Sequence, residues 1–449
     1  MSAYVLRQGL VVGESSSLVG DVFIEDGLIR EVAPHVQCAK GTLEIDAEGC
    51  WVGPGLVDLH AHLREPGDEA AETIESGARA GAMGGFSALV AMPNTEPALD
   101  NPALVSYVLD RGARTPLDIA VAGAITQGRR GELLAPMAEM AALGVRIFTD
   151  DGVGVQDPSL MRRALVYAKP LGVCLAQHCE DERLAAGGSM NEGAVSSRLG
   201  LVGRPMLAEE LMVMRDLELV RLTGCPMHFM HLSTGRSVAM VAAARLEGLP
   251  VSSEVAPHHF TLDEDSMATF DPIFKVHPPL RAAAHVAALR AALVAGQIDA
   301  VATDHAPHAP EMKDLPFDEA PPGMLGLEHA AALTYEALGA DAADPLIFFS
   351  LLSRAPARVA QLRASDHRPR HGAHGGAMHA GEDANVVVFD PAQRWTARRD
   401  ALQSRATNTP YDGRAMFGKV RALIAKGELV VLLRPAELSA IAGQRVAAA

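Results

Sequence analysis

The central part of the chain alternates short apolar segments with longer amphipathic ones. This alternation is typical of β-α units, which assemble into a parallel sheet. The predicted strands are residues 56–60, 87–91, 118–121, 145–149, 173–178, 227–231, 251–255 and 299–303. The clearest helices between them are predicted at residues 69–83, 158–169, 205–223 and 234–248. Eight strands are the number that closes a (β/α)8 TIM-type barrel. A doubly wound open sheet is the alternative, but no GxGxxG segment follows the first strand to support it.

Both ends of the chain have a different pattern, in which short strands are separated by Gly and Ser. Near the start, strands are predicted at residues 4–6, 21–24 and 28–32, and similar segments return at 385–389 and 420–424. We therefore predict an α/β fold in which a barrel, residues 53–365, carries a small β domain. Residues 1–52 and 380–435 would together build that domain.

Residues 366–379, DHRPRHGAHGGAMH, are rich in His, Gly and Arg. A His-rich tract of this kind can bind a metal ion. The simpler interpretation, which we favour, is a solvated linker between the barrel and the β domain.

Composition narrows the class of protein. The 449 residues fit one large barrel plus a smaller domain, and half of them are apolar. The net charge of −16 argues against a nucleic-acid partner, which would need a basic face. It does not exclude a small anionic substrate, because a local Arg can overcome the global field.

Targeting signals and cysteine usage favour a cytoplasmic protein. The five cysteines are odd in number and include no CxxC pair, so neither a disulfide framework nor a thiolate zinc site is indicated. The first residues lack the basic and apolar regions of a signal peptide. No run of 18 apolar residues occurs, so we expect no membrane span.

Candidate chemistry begins with the segment DLHAH at residues 58–62. Alternate residues of a strand face the same side, so His60 and His62 can point together into the barrel mouth. An isolated HxH is a weak signal. It gains weight because further His and Asp residues fall at strand ends, where barrel enzymes place their catalytic groups. These are Asp151 after the fourth strand, His178 and His231 closing the fifth and sixth, and Asp304 after the eighth.

Six nitrogen and oxygen ligands without sulfur suit zinc, although manganese, cobalt or iron would also fit. Two metal ions need a bridging anion, and Asp151 is the best candidate. His60, His62 and Asp304 would then bind one ion, and His178 and His231 the other. Two metals sharing a water lower its pKa. Asp304 is suited to take the proton and return it to a leaving nitrogen.

These motifs resemble the class I dihydroorotase family. The matching segments run in order through the barrel: DLHAHLREPG (58–67), MPNT (92–95), FTDDG (148–152), HCED (178–181), HLST (231–234), EVAPHH (254–259), PPLR (278–281) and ATDHAPH (302–308), with NTPYDG (408–413) in the tail. The resemblance implies a zinc-dependent barrel that interconverts N-carbamoyl-L-aspartate and (S)-dihydroorotate in pyrimidine synthesis. A homo-oligomer and an aspartate transcarbamoylase partner are further expectations.

Carried over by residue, the resemblance places the metal ligands on the six residues named above and the catalytic acid and base on Asp304. Substrate-binding positions fall on His62, Leu63, Arg64, Asn94, His277, His308, Pro322 and Gly323. The planar fork of Arg64 suits a carboxylate. The alternatives are a surface ion pair of Arg64 with Glu65 or Glu69, and a turn role for Asn94. We interpret His258 and His259 as supporting or structural residues.

One position departs from the family pattern. The family usually has Asn where this chain has His277, in the segment KVHPPLR (275–281). Neutral His retains one donor and one acceptor, on a more rigid ring. Because a nearby anion favours imidazolium, we hypothesise that a protonated His277 donates to the substrate. The alternative is that the ring only fills space.

Two other functions compete with this one. Hydantoinases and allantoinases resemble the same fold, but they bridge their metals with a carboxylated lysine on the fourth strand. Here residues 146–151 read RIFTDD, and the nearest lysine is Lys169 in the following helix. An inactive subunit that scaffolds aspartate transcarbamoylase would be expected to lose metal ligands, and this chain keeps all six.

Overall fold

The apolar segments in the middle of the chain form eight parallel strands in a computed structural model that describes residues 3–366 and 371–433. The strands, in chain order, are β1 Ala3–Val12, β2 Ser17–Glu25, β3 Leu28–Ala33, β4 Leu43–Asp46, β5 Trp51–Pro54, β6 Leu56–Ala61, β7 Phe86–Ala91, β8 Asp118–Gly123, β9 Ile147–Phe148, β10 Cys174–Gln177, β11 Met190–Asn191, β12 Gly203–Arg204, β13 Met227–Phe229, β14 Val251–Val255, β15 Ala300–Val301, β16 Val386–Thr396, β17 Ala415–Ala425 and β18 Glu428–Leu432.

The parallel sheet runs in the order β6-β7-β8-β9-β10-β13-β14-β15. Its two edges meet: Ala61 forms a parallel bridge with His305, and the His62 N–H donates to the His305 carbonyl at 2.9 Å. The sheet therefore closes on itself, and the predicted (β/α)8 barrel with a small β domain is confirmed. β6, β7 and β8 are buried at every position, because barrel strands have a packed interior on one face and helices on the other.

Helices connect the strands and cover the barrel. They are α1 Ile74–Met83, α2 Pro102–Gly112, α3 Met137–Ala142, α4 Pro158–Ala168, α5 Glu182–Ala185, α6 Ala194–Leu199, α7 Leu207–Thr223, α8 Gly235–Leu246, α9 Ala283–Val294, α10 Pro310–Lys313, α11 Ala330–Ala337, α12 Pro345–Phe349 and α13 Ala355–Val359. Local sequence sets their ends: Thr73, Asn101, Asp157 and Thr234 cap α1, α2, α4 and α8 through side-chain oxygens. The helix predicted at 69–83 therefore begins only after its cap.

Both ends of the chain share a second sheet. Its strand order is β18-β17-β16-β5-β1-β2-β3, with β4 also paired to β1. The two ends join where β5 and β16 pair antiparallel, from Trp51 opposite Phe389 to Pro54 opposite Val386. The exact domain boundaries proposed above stay a prediction. Residues 1, 2, 434 and 435 of the predicted β domain lie outside the described residues.

Four of the eight predicted strands are longer than the strands that form, and the fourth and the eighth differ most. The fourth was predicted at 145–149 and spans Ile147–Phe148, and the eighth was predicted at 299–303 and spans Ala300–Val301. Val145 and Ala302 are buried without being strand residues. An apolar segment indicates burial, whereas a strand is defined by backbone pairing. Apolar segments therefore overestimate the length of short strands.

The predicted linker is only partly solvated. Residues 367–370 lie outside the described residues, but His374 is fully buried. Its Nδ1 lies 2.9 Å from Ser87 Oγ and its Nε2 lies 2.8 Å from Asp118 Oδ2, at the amino ends of β7 and β8. The description of this segment as a solvated loop is therefore wrong at His374, because two polar partners on the barrel floor offset the cost of burying the ring.

Two further properties agree with the composition. All five cysteines are free thiols. No helix in the described part of the chain is long and apolar enough to cross a lipid bilayer.

Candidate metal centre and active site

Asp151 lies at the centre of four histidines at the carboxyl end of the barrel. Its Oδ2 lies 3.5 Å from His60 Nε2 and 3.6 Å from His62 Nε2. Its Oδ1 lies 3.6 Å from both His178 Nδ1 and His231 Nε2. Each carboxylate oxygen thus faces a different pair of histidines, which is the arrangement that a bridging ligand requires.

Asp304 completes the first of these two groups. Its Oδ1 lies 3.1 Å from His62 Nε2 and 3.6 Å from His60 Nε2. The backbone φ angle is +46° at Asp304, +33° at His231 and +60° at Arg64. Non-glycine residues rarely adopt positive φ, and such strain concentrates at functional sites. The positive φ angles that place these three side chains therefore cost backbone conformational energy.

The outer face of His60 is held by a buried polar chain. Its Nδ1 lies 2.9 Å from Glu254 Oε1, while Glu254 Oε2 lies 3.0 Å from His228 Nε2, and His228 Nδ1 lies 2.7 Å from Ser252 Oγ. Burial opposes charge on Glu254, but contacts with His228 and His60 lower its pKa to about 2. The carboxylate fixes a proton on His60 Nδ1 and leaves Nε2 free to face Asp151.

The other histidines have different supports. His62 Nδ1 lies 2.8 Å from Asn94 Oδ1, so Asn94 orients a candidate metal ligand as well as facing the cavity. His178 Nε2 lies 3.6 Å from Glu180 Oε2, and Arg204 bonds the same oxygen. Sequence reasoning missed Glu254, His228, Glu180 and Arg204 as supports. Glu254 and Glu180 stand inside the segments EVAPHH and HCED, which was the available signal.

Asp58 connects the histidine-bearing strand to the last strand of the barrel. It accepts from the Thr303 N–H at 2.8 Å and from Thr303 Oγ1 at 2.6 Å. Complete burial raises the pKa of Asp58 to about 7, and the two Thr303 donors oppose that rise. The bonds join β6 to Thr303, two residues beyond β15 and immediately beside His60 and Asp304, and so hold the two halves of the site together.

The donor set fits metal ions. Two groups, His60-His62-Asp151 and Asp151-His178-His231, have all their ligand atoms within 4.8 Å of one another. His60 Nε2 is buried and has no hydrogen-bond partner, although two carboxylates face it. A buried polar atom without a partner is costly, and a cation between imidazole and carboxylate would satisfy it. A ligand set made only of nitrogen and oxygen atoms suits zinc and similar divalent transition metals.

A cavity of about 180 Å³ opens above this centre. Seven of the eight positions predicted to bind substrate line it: His62, Arg64, Asn94, His277, His308, Pro322 and Gly323. Leu63 does not, because its side chain is buried in the main hydrophobic core. Its assignment as a substrate contact therefore has no support from its side chain.

Arg64 faces the cavity rather than a surface acid. Its Nε donates to the Pro307 carbonyl at 3.0 Å. Glu65 instead bonds Tyr107 at 2.9 Å and pairs with Arg111 at 2.6 Å. Burial lowers the pKa of Arg64, with partial compensation from neighbouring carboxylates. The alternative of a surface ion pair is thus not observed, and the guanidinium is available to an anion in the cavity.

The far wall of the cavity is held by Asn408, in the tail segment NTPYDG. Its Oδ1 accepts from the His308 N–H at 3.2 Å, and its Nδ2 donates to the carbonyls of Ala306 at 2.9 Å and Gly323 at 3.2 Å. His308 Nε2 lies 2.8 Å from the Pro322 carbonyl. The Gly323 N–H donates to the Lys275 carbonyl at 2.8 Å. These backbone groups therefore already have internal partners.

His277 lies at the cavity wall with its Nε2 buried and unpaired. Burial first, and the nearby Arg204 second, lower the pKa of His277 to about 3. Both effects favour a neutral ring, contrary to the imidazolium expected above, and the sequence revealed neither, because Arg204 belongs to the β11–β12 ribbon. The role of His277 toward the substrate stays a prediction.

His258 and His259 sit beneath the site. His259 Nε2 lies 2.9 Å from the Pro278 carbonyl, and His258 Nε2 lies 3.9 Å from Asp304 Oδ2. Burial lowers the pKa of both rings, to about 3 for His259. Neither belongs to the two metal-binding groups described above. Their interpretation as supporting residues stays a prediction.

No lysine lines the cavity within the described residues. Lys169, the nearest lysine in sequence to the fourth strand, follows the carboxyl end of α4. Its Nζ donates to the Thr223 carbonyl at 2.7 Å. The end of a barrel helix lies on the face opposite the strand ends that carry Asp151. A carboxylated lysine bridge therefore has no candidate residue here.

Comparison with known proteins agrees with this geometry. Residues 49–237 match the family model described as dihydro-orotase-like. The dihydroorotase of Pelotomaculum thermopropionicum is 44% identical over 412 residues, covering 92% of this chain and 94% of that protein. The dihydroorotase of Solibacter usitatus is 42% identical, covering 95% and 97%. Barrel, metal-binding groups and relatives together define a cyclic amidohydrolase. More narrowly, the chain belongs to the dihydroorotase family.

Solved structures support the fold independently. The L-hydantoinase (dihydropyrimidinase) of Arthrobacter aurescens superimposes with a TM-score of 0.84 at 21% identity, covering 96% of each chain. The dihydropyrimidinase of Brevibacillus agri gives a TM-score of 0.81 at 22% identity, covering 96% of this chain and 95% of that one. At such identities the likeness extends to the architecture alone.

Proposed function

We propose that this chain is a class I dihydroorotase that reversibly interconverts N-carbamoyl-L-aspartate and (S)-dihydroorotate in pyrimidine synthesis. The observation that carries the proposal is Asp151, whose two oxygens face two separate histidine pairs in a cavity that also contains Arg64 and Asn94. Relatives named dihydroorotase cover nearly the whole chain.

Substrate binding is assigned to the cavity wall. The guanidinium of Arg64 offers a bidentate fork to the substrate carboxylate, and the amide of Asn94 lies beside it. His277 and His308 face the same space and would contact the rest of the ring. Burial and Arg204 favour the neutral ring of His277, which would contribute one donor or one acceptor rather than a charge.

Proton transfer is assigned to Asp304. In hydrolysis its carboxylate takes a proton from the attacking water and delivers it to the ring nitrogen as the amide bond breaks. In cyclisation the same steps run backwards. His62 lowers the pKa of the buried Asp304 carboxyl against the opposing effect of burial, so the base form is present before reaction.

The metal ligands would be His60, His62, Asp151, His178, His231 and Asp304, with Asp151 shared between two zinc ions. When bound, such ions lower the pKa of a water molecule and polarise an amide carbonyl. Glu254 and Asn94 contact the outer nitrogens of His60 and His62 and so orient the inward nitrogens toward the ions. As further parts of the proposal, the enzyme is a cytoplasmic homo-oligomer that can associate with aspartate transcarbamoylase.

The deciding experiment assays purified protein with dihydroorotate, N-carbamoyl-L-aspartate, hydantoin and allantoin, with metal content measured in the same samples. We expect activity with the first two compounds, loss after chelation and recovery with zinc. Preparation without bicarbonate should not reduce activity, because the cavity has no lysine to carboxylate. A metal-loaded protein inert toward dihydroorotate but active on hydantoin or allantoin, or inert toward all four, would contradict the proposal.

A further inference from the structure

Arg281, the last residue of the segment KVHPPLR, is a large charged side chain that is only 2% exposed. It does not belong to the described lining of the cavity or to the two metal-binding groups. Burying a guanidinium is costly, and arginine is seldom fully buried unless other groups satisfy its charge and its donors. The contacts of Arg281 should therefore explain why the fold accepts that cost.

The first contact of Arg281 holds the turn after β13. Its Nε donates to Ser233 Oγ at 3.0 Å, and the Ser233 hydroxyl donates in turn to Glu209 of α7. The carboxylate of Glu209 also accepts from the N–H groups of Ser233 and Thr234, both at 3.0 Å. Ser233 lies two residues after His231, and a positive φ such as that of His231 persists only where the surroundings hold it. Arg281 and Glu209 therefore fix the turn that places His231.

The second contact of Arg281 leads to His178. Its Nη1 donates to the Arg204 carbonyl at 3.0 Å and to Asn191 Oδ1 at 2.9 Å. Asn191 and Arg204 are paired with each other across the β11–β12 ribbon. The side chain of Arg204 bonds Glu180, whose Oε2 lies 3.6 Å from His178 Nε2. The ribbon that supports His178 is thus attached to the same guanidinium as the turn that places His231.

The shape of the guanidinium matters here more than its charge. The nearest carboxylate oxygen to its Nη2 is Glu209 Oε2 at 4.0 Å, and Nη2 has no hydrogen-bond partner. The three bonds that do form all go to uncharged acceptors, through the planar fork of Nε and Nη1. A lysine carries a compact ammonium on a flexible stem and cannot reproduce that fork. The site therefore requires arginine at this position.

We propose that Arg281 is a positioning residue for the half of the metal centre formed by His178 and His231. The inference rests on the proposed function, in which these two histidines and Asp151 bind the second zinc ion. Groups behind metal ligands set the orientation of the ligand, and their loss typically weakens metal binding by about 10–100-fold. Arg281 is unusual because it acts on two ligands at once, through separate arms.

The other half of the centre has its own supports. His60 is held by Glu254 and His62 by Asn94, and these contacts lie on β14 and after β7. Loss of the Arg281 fork should therefore affect one ion far more than the other. A general loss of stability would instead affect both ions alike.

Competition between the zinc-loaded, full-length protein and a chromogenic chelator tests the proposal, because it measures the Kd of each ion without an activity assay. Arg281→Lys should raise the Kd of one ion by about 10–100-fold and leave the other within about threefold. His178→Asn removes a ligand of one ion alone and so identifies which Kd belongs to the His178–His231 pair. The ion weakened by Arg281→Lys should be the same one.

A second variant and a matched control complete the experiment. Ser233→Ala removes only the first arm and should weaken the same ion by a smaller factor than Arg281→Lys does. If Arg281→Lys cannot be purified, the result for Ser233→Ala decides. The control is Arg354→Lys, at another buried arginine, 4% exposed, whose Nη2 donates to the Val12 carbonyl at 2.7 Å away from the metal centre. Both Kd values should stay within about threefold in Arg354→Lys.

Three results would overturn the proposal: equal changes in both Kd values, no change beyond about threefold in either Arg281→Lys or Ser233→Ala, or weakening of the ion opposite to the one identified by His178→Asn. A wild type that binds a single zinc ion would also overturn it. A wild type that binds two zinc ions but does not convert dihydroorotate would refute the proposed reaction alone, and the Kd values would still decide the role of Arg281.

Discussion

The barrel has a histidine-carboxylate cluster at each end, and the two differ in how far their polar atoms are satisfied. At the carboxyl end, His60 Nε2 and His231 Nδ1 are buried without hydrogen-bond partners. At the amino end, both ring nitrogens of His374 have partners, Ser87 and Asp118.

The residue types are alike, so composition cannot tell a candidate metal site from a structural cluster. Buried polar groups that serve only the fold are generally paired. Unpaired ones cost stability, and a cation would satisfy His60 Nε2, which two carboxylates face. The carboxyl-end cluster can therefore still bind a ligand. The polar atoms of the amino-end cluster are already paired, and they attach residues 371–374 to the floor of the barrel.

The largest expected effect is at Asp304. Asp304→Asn removes the proton carrier and should lower kcat by roughly 10²–10⁴, as the loss of general acid-base catalysis does elsewhere. Steady-state kinetics on dihydroorotate, with metal content measured in the same sample, separates loss of the base from loss of metal. Turnover above about a tenth of wild type would show that another group carries the proton.

The next prediction concerns Glu254, which supports His60 from outside the cavity. Glu254→Gln keeps the shape but removes the charge that fixes the His60 proton, and should weaken metal affinity by about 10–100-fold. Competition with a chromogenic chelator measures this without an activity assay. Ser252→Ala, at the far end of the same chain, is the control and should have a smaller effect. Equal metal affinities for wild type and Glu254→Gln would show that Glu254 does not support metal binding.

At the amino end the expected change is in stability and not in turnover. Asp118→Asn should lower the free energy of unfolding by about 1–3 kcal/mol near pH 7, since it weakens a buried hydrogen-bonded carboxylate, and should leave kcat unchanged. Denaturant titration measures the change. The control is Asp341→Asn, at an exposed position. A clear drop in kcat would mean that the two ends are coupled.

The stabilising effect of Asp118 should also depend on pH. Burial alone would raise the pKa of Asp118, but His374 and Lys426 hold it well below its ordinary value. A depressed carboxyl pKa stabilises the fold above the unfolded pKa of about 4, and this stability is lost as pH falls through the folded pKa. The difference between wild type and Asp118→Asn should therefore shrink from about pH 5 to pH 2. A constant difference would show that charge is not the cause.

The smallest effect is expected at His277. Its pKa of about 3 keeps the ring neutral over the assay range, so KM should show no pH dependence arising from this residue between about pH 6 and 9. His277→Asn should change KM by no more than about threefold. Superimposable KM-pH profiles for the two proteins are the expected result. A pH dependence of KM in wild type that the variant lacks would show that His277 is a charged donor.

The sequence predicted the barrel and the location of the six candidate ligands because both depend on order along the chain. Parallel strands bring their carboxyl ends to one edge, so His178 and His231 could be assigned before their distances were known. The partners could not be assigned, because contacts such as Glu254 with His228 depend on which strand residues face inward and on ring orientation. The lowered pKa of His277 likewise depends first on burial and then on Arg204, which belongs to a ribbon that the periodicity did not predict.

The pairing of β5 with β16 has a consequence for how the protein is made. During synthesis β5 emerges early and has an unpaired edge until β16 follows it, which at about 5–20 residues per second takes on the order of tens of seconds. The whole barrel is synthesised in that interval. Exposed edges of apolar strands promote association between nascent chains. The N-terminal strands are therefore where overexpression should first produce aggregates, and slower synthesis or a chaperone that covers this edge should improve the yield of folded enzyme.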